Sequence, residues 1–424
     1  MAEKIAKSVV TCDMEGRIET YNDAAVQIFG YAPEEVVGKK RVSLFSPGLV
    51  VLGHVNDWLK TAREAGEYTG RTVFVRKDGS KFSADIRITP TFRNGVQIGY
   101  CGVTTPRLDI PVEQAEPQIS LFTRIFGWLV VTRAPFLTAT IVPIAIAAAW
   151  VAARGLAEPF PWLLLALTLV GGIALHVAAN TFNDYFDWTS GTDEANNDYF
   201  LPLSGGSRSV ELGLITPRGL FTIGLVAFAV ALAAGLAVMA VQGLGLIVFG
   251  VIGALSAFFY TAPPVRLAAR RGLGELVTGM NFGPLMTAGA VFALAGRVDW
   301  LDFVIGLPVG LLITAVLYIN EFPDHDGDKV SGKHNLVVVL GKRTARWGYL
   351  ALVLGAFALV AAGVVAGWWS AGALLALLAL PIGLYAMTIL FKHYEDRSLA
   401  RANSATIVVH VLAGALMAVG LVVF

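Results

Sequence analysis

The fold turns on the stretch Asn183-Asp184-Tyr185-Phe186-Asp187-Trp188-Thr189-Ser190-Gly191-Thr192-Asp193. It follows an apolar run about 20 residues long, the length of one membrane crossing. Ionised groups in or beside a bilayer are costly and are kept for function, so three carboxylates at this point need a reason. A second acidic stretch ends another apolar run: Asn320-Glu321-Phe322-Pro323-Asp324-His325-Asp326-Gly327-Asp328. The composition fits a polytopic membrane protein, with 55% of 424 residues hydrophobic and only 15% charged. A net charge of +1 gives no sign of a nucleic-acid partner.

Working outward, nine apolar runs follow Arg124, roughly 127–153, 161–182, 219–241, 243–260, 275–295, 302–320, 346–366, 370–390 and 405–424. They predict an all-α bundle of nine transmembrane helices over residues 123–424. The loops alternate in charge. Those after the second, fourth, sixth and eighth runs hold Arg208 and Arg218; Arg266, Arg270 and Arg271; Lys329, Lys333, Lys342, Arg343 and Arg346; and Lys392, Arg397 and Arg401. The opposite loops hold only Arg154 and Arg297. The positive-inside rule puts the rich loops, the N-terminal region and both acidic stretches in the cytoplasm, with the C-terminus outside the inner membrane.

His176, Asn180, Asn183, Asp184 and Asp187 fall on one stripe if the second run continues as a helix. Asn320, Asp324 and Asp328 recur at intervals of four, and Pro323 and Gly327 predict a kinked or loosened last turn. Carboxylate and amide oxygens are hard ligands suited to Mg²⁺, an ion usually held by one or two carboxylates plus substrate phosphates. Two such clusters beside cations fit a diphosphate. The candidate cations are Arg208, Arg266, Lys329 and Lys333, and Gly205-Gly206-Ser207-Arg208 offers backbone N–H groups to an anion. One acidic helix end alone would read as a solvated boundary, and basic loops alone as topology signals. The pairing of two acidic clusters, each ending a span, argues for a metal–diphosphate site.

Residues 1–105 read as a small α/β domain, an antiparallel sheet with inserted helices. Ser8–Cys12 and Arg17–Tyr21 are strand candidates, and Asn22-Asp23 caps a helix to about Phe29. Pro33-Glu34-Glu35 suits a helix first turn. Thr72–Arg76 and Lys81–Ile88 flank Asp78-Gly79, and Asn94-Gly95 tips a second hairpin returning through Gln97–Val103. Residues 106–122, with Pro106, Pro111 and Pro117, read as a linker. Met1 to Asn22 is polar and of mixed charge, unlike a secretory signal.

The order of elements resembles a PAS domain, carried by Asp13-Met14-Glu15-Gly16-Arg17-Ile18, Asn22-Asp23-Ala24-Ala25, Phe29-Gly30-Tyr31, Glu34-Glu35-Val36-Val37-Gly38 and Arg76-Lys77-Asp78-Gly79-Ser80. PAS domains sense ligands or dimerise, so the resemblance implies a sensor and a homodimer through this domain. No cysteine stands in a flavin-photosensor setting and His54 is its only histidine, so the PAS ligand stays unknown. First and last PAS strands are neighbours, which brings Cys12 near Cys101. They read either as a redox pair or as two reduced cytosolic thiols, and the second reading is preferred.

Asn183-Asp184-Tyr185-Phe186-Asp187 resembles the first aspartate motif of the UbiA superfamily of intramembrane prenyltransferases, and Asp324 with Asp328 resembles the second. The resemblance covers roughly 125–424. It implies Mg²⁺-dependent transfer of a polyprenyl chain from its diphosphate to an aromatic acceptor within a helical bundle open to membrane lipid. It assigns Asn183, Asp184, Asp187, Asp324 and Asp328 to the metal–diphosphate site, joined by Asp193 and Asn320. Asp187, Asp324 and Arg208 would then serve catalysis directly. Asn183, Arg208, Lys329, Lys333, Tyr260, Arg266 and His176 would bind substrate. Asp193, Tyr260 and His176 are candidate proton acceptors.

Ser190-Gly191-Thr192-Asp193, Gly205-Gly206-Ser207-Arg208, Tyr260-Thr261-Ala262-Pro263-Pro264, Gly272-Leu273-Gly274-Glu275-Leu276 and Gly332-Lys333 before Leu340-Gly341 look like the branch acting on 1,4-dihydroxy-2-naphthoate in menaquinone biosynthesis. Glu321-Phe322-Pro323 departs from that branch, which often has Asn and Arg there. Other superfamily acceptors are 4-hydroxybenzoate, a glycerol-phosphate lipid, a chlorophyllide or a carotenoid. A reading of another class is a PAS-gated membrane sensor or transporter.

Overall fold

A computed structural model describes residues 6–190 and 206–424. The expectations placed on Gly191, Thr192, Asp193 and Gly205 lie outside the described residues. The chain forms two compact units: one runs to Val131 and takes in Arg208–Thr216, and the other comprises residues 132–207 and 217–424.

The first unit is built on five antiparallel strands, β1 (Ser8–Asp13), β2 (Ile18–Tyr21), β3 (Tyr68–Val75), β4 (Lys81–Arg93) and β5 (Val96–Pro106), in the order β2-β1-β5-β4-β3. The turn chemistry acts as the sequence leads one to expect. Asn22 caps α1 (Asp23–Phe29), its side chain accepting from Ala25 N at 2.9 Å. Asn94 and Gly95 both take positive φ, as a tight hairpin between right-twisted strands requires. Pro33 opens a single helical turn. The core is aromatic: Phe29 stacks on Phe45 with centroids 4.2 Å apart and meets Phe74 edge-on. A second helix, α2 (Asn56–Ala65), buries Trp58 against Tyr68.

The strand register decides the cysteine question. β1 and β5 are neighbours, but Cys101 is paired with Thr11, and Cys12 with Tyr100. Successive side chains alternate faces, so Cys12 points into the core and Cys101 to the other face of the sheet. The redox-pair reading is therefore corrected: the sheet itself lies between the two thiols. The expected linker is also partly ordered. After a short turn at Val112–Ala115, the unit continues into α3 (Leu121–Val131), which ends before the first long span.

The second unit is an all-α bundle: α4 (Ala134–Ala153), α5 (Trp162–Thr189), α6 (Pro217–Gln242), α7 (Leu246–Phe259), α8 (Leu273–Ala295), α9 (Trp300–Val330), α10 (Lys342–Val365), α11 (Ala371–His393) and α12 (Arg397–Val423). Eight of these are long and apolar enough to cross a membrane. The exception is α7, whose 14 residues reach only about 21 Å. It nevertheless returns the chain to the end it left. Arg266, just after α7, and Lys333, after α9, both lie within electrostatic reach of Asp187 near the end of α5.

Small residues let the central helices close in. A Cβ on Gly283 would sit 2.5 Å from Gly310 Cα, so α8 and α9 touch backbone to backbone. Helix α9 also runs unbroken through Pro323 to Val330, contrary to the expected loosening. Proline cannot donate to the carbonyl four residues back. That carbonyl, Ile319 O, instead accepts from Asn403 Nδ2 of α12 at 3.3 Å.

Candidate active site

Helix α5 carries its polar stripe onto one wall of a cavity of about 730 Å³ inside the second unit. His176, Asn180, Asn183 and Asp187 line it from α5, and Asn320, Glu321, Asp324 and Asp328 line it from α9. Four of the five residues expected on the α5 stripe line the cavity, Asp184 being the exception, and so do the three expected on α9, with Glu321 beside them. Tyr260 and Lys333 complete the polar wall, and the remaining lining is mostly apolar.

Second contacts hold these groups in place. Asn320 Oδ1 accepts from Asn403 Nδ2 at 2.6 Å, so the interaction that compensates Pro323 also orients a site residue. Asp328 accepts from Asn335 Nδ2 at 2.8 Å and lies 3.5 Å from Lys333 Nζ. Glu275 Oε1 accepts from Leu336 N at 2.6 Å, tying the segment after Lys333 to α8. His176 Nδ1 meets Thr140 Oγ1 at 2.9 Å, and its ring packs 4.7 Å from Phe282. Burial works against the Lys333 charge, but Asp328, Asp187, Tyr260 and Asp324 outweigh it and raise its pKa. Lys333 is therefore a retained cation facing carboxylates.

The other anticipated residues stand as follows. Asp184 is buried and paired with Arg133, while Ser207 N points to its Oδ1 at 3.4 Å. Arg266 is half-buried and within electrostatic reach of Asp187. Lys329 is exposed and does not line the cavity. Arg208 is buried in the first unit, 3.0 Å from Glu211 Oε2.

Arg133 was missed by sequence reasoning. It pairs with Asp184 and donates to Asn183 Oδ1 at 3.0 Å. The signal was present, because Arg133 is a cation inside the first apolar run. Asn403 and Asn335 carried no comparable signal, since isolated amides near helix starts read as caps.

Among the described residues, no three His, Cys, Asp or Glu side chains converge as a ready-made metal site. The donor set still fits Mg²⁺ with a phosphate-bearing substrate, which supplies several ligands itself. Among the described residues, Asp184 Oδ2 is buried with no hydrogen-bond partner, as expected of a carboxylate with room for a further positive group. Asn183, Asp187, Asn320, Asp324 and Asp328 contribute hard oxygen or amide donors along the same wall.

A helical membrane bundle enclosing a cavity with acidic and cationic groups and a mostly apolar lining suits a phosphate-bearing substrate with an apolar chain, and the family match places it among the prenyl-transferring enzymes. Residues 140–420 match the UbiA prenyltransferase family, and the chain belongs to that family. Residues 6–104 match the PAS domain family. The chain is 32% identical over 226 residues to 1,4-dihydroxy-2-naphthoate octaprenyltransferase of Mycobacterium leprae, covering 53% of this chain and 73% of the relative. The Bacillus subtilis enzyme of the same name is 24% identical over 73% of this chain and 96% of its own. Among solved structures, the apo UbiA homolog from Aeropyrum pernix K1 shares the fold, with TM-score 0.52 and 19% identity over 68% of this chain and 98% of that one. A UbiA homolog from Archaeoglobus fulgidus bound to GPP and Mg²⁺ aligns with TM-score 0.50 and 16% identity over 69% of this chain and 99% of that one.

Proposed function

We propose that the enzyme transfers a polyprenyl chain from its diphosphate to 1,4-dihydroxy-2-naphthoate, with Mg²⁺, on the cytoplasmic side of the membrane. The observation that carries this reading is the division of the cavity. Asn183, Asp187, Asn320, Asp324, Asp328 and Lys333 line it together with Arg133 and Glu321, while most of the remaining lining is apolar. A prenyl diphosphate has the same division. The naphthoate acceptor is supported by the naphthoate octaprenyltransferases among the relatives.

Asn183, Asp187, Asn320, Asp324 and Asp328 would hold Mg²⁺, which supplies Lewis-acid neutralisation of the diphosphate. Lys333 and Arg133 stabilise the negative charge that grows on the leaving diphosphate. The allylic C–O bond breaks, and the apolar wall keeps water from the resulting cation. The electron-rich ring carbon bearing the carboxylate attacks, the C–C bond forms, and CO₂ leaves as the ring rearomatises.

The test is a product assay on the full chain in lipid with a polyprenyl diphosphate, Mg²⁺ and a panel of acceptors, read by mass spectrometry. A prenylated, decarboxylated naphthoquinol is expected. Product on another acceptor moves the branch, and absence of pyrophosphate release with every acceptor removes the reading.

The PAS unit is proposed to adjust this activity. The support lies within that unit, which takes in Arg208–Thr216, the segment leading into α6. There is no room for a Cβ at Gly48, which would strike Leu212 O and come within 2.8 Å of Leu214. The unit thus grips a loop that opens at Arg208.

A further inference from the structure

Helix α3 has two apolar faces, and among the described residues only one of them is buried. Thr123, Gly127, Val130 and Val131 are buried. They pack on the first unit: a Cβ on Gly53 would lie 3.0 Å from Thr123, and one on Gly127 would lie 3.0 Å from Leu49. The opposite face carries Leu121, Phe122, Ile125, Phe126, Trp128 and Leu129, an arc of about 160° at 3.6 residues per turn. Phe122 is 77% exposed and Leu121 74%. An apolar face this continuous on a water-soluble surface is a binding site.

The occupant follows from chain continuity and charge. Only Thr132 and Arg133 separate α3 from the start of α4, a tether of about 11 Å at most. The C-terminal end of α3 is therefore held at the surface of the bilayer that α4 enters. Eleven residues span about 16 Å, too short to cross. From Leu121 to Arg133 there is no acidic residue, and Arg124 lies at the margin of the exposed face. Exposed Phe and Trp with a flanking Arg suit the boundary between headgroups and acyl chains.

We propose that α3 is an interfacial helix that lies along the membrane, its Leu121–Phe122–Ile125–Phe126–Leu129 face in the upper acyl layer, and so anchors the PAS unit to lipid. The inference is independent of the acceptor and of the reaction.

The experiment uses the full chain, one copy per lipid nanodisc, carrying Phe122→Trp. The emission added over wild type is followed in lipids brominated at shallow or deep acyl positions. Loss of the added emission in shallow-brominated lipid, greater than in deep-brominated lipid, is the expected result. Retention in shallow-brominated lipid overturns the proposal. Acrylamide then tells whether the position faces water, where it quenches, or protein, where it does not. Leu121→Trp gives the same reading from a second exposed position, should Phe122→Trp fail to fold.

Discussion

Arg133 of the chain entering α4 is ion-paired to Asp184 of α5, and the same guanidinium nitrogen donates to Asn183 Oδ1 at 3.0 Å. One cation therefore fixes two adjacent residues of the first acidic motif. Arg133→Gln should lower kcat by about 10²-fold, the usual loss for one donor to a developing anion. It also leaves the buried Asp184 carboxylate unpaired, at a cost of about 3 kcal/mol. Turnover and thermal unfolding measured on the same preparation check both. Wild-type values for the two would mean the pair is incidental.

Asp187→Asn and Asp324→Asn each keep size and polarity but remove a charge from the cavity lining, one from α5 and one from α9. Either should abolish transfer while leaving a folded, monodisperse membrane protein. Chelation of divalent ions should do the same to wild type, and added Mg²⁺ should restore it. Pyrophosphate release is the readout. Full turnover in either variant would remove that residue from the metal–diphosphate site.

Periodicity put Asn183 and Asp187 on one side of α5, and Asn320, Asp324 and Asp328 on one side of α9, because a helix fixes which side chains share a side; that the two sides face each other was read from the pairing of the acidic clusters. It failed for Arg133, whose apolar neighbours hid the break between α3 and α4. It failed for Asn403, because a bond between α9 and α12 depends on packing that no local pattern encodes. Pro323 misled in the same way: its local rule is sound, but a distant amide answered the orphaned carbonyl. In the first unit, turn residues located the hairpins. Only the register, with Cys101 opposite Thr11, separated the thiols.

That register yields a redox prediction. Oxidant should produce no intramolecular Cys12–Cys101 disulfide in the folded chain, and mass spectrometry after alkylation should find both thiols free. Burial pushes the Cys12 thiol up to about 12, so at pH near 8 it should react far more slowly than in denaturant. The folded pKa lies above the ordinary value of 9.0. Between these values the unfolded chain releases a proton that the folded chain keeps, so stability should fall as pH rises through that window. A disulfide formed without unfolding would contradict the sheet register.

The grip of the first unit on Arg208–Thr216 yields the last prediction. Gly48→Val must displace Leu212 and Leu214, because backbone already fills the space a Cβ needs. Leu214→Ala loosens the same contact from the other side, and because Leu214 is only half-buried it costs less than the about 2–5 kcal/mol of a fully buried leucine. If the PAS unit governs activity through this loop, both variants should change kcat by several-fold and make it less responsive to PAS ligands or redox conditions. KM for the acceptor should stay near wild type, because neither residue lines the cavity. Altered kcat in both, with hydrogen exchange in α5 and α9 unchanged, would locate the effect in the loop. Unchanged kcat in both, with the displaced loop seen by exchange at 208–216, would leave the PAS unit a role in dimerisation or stability alone.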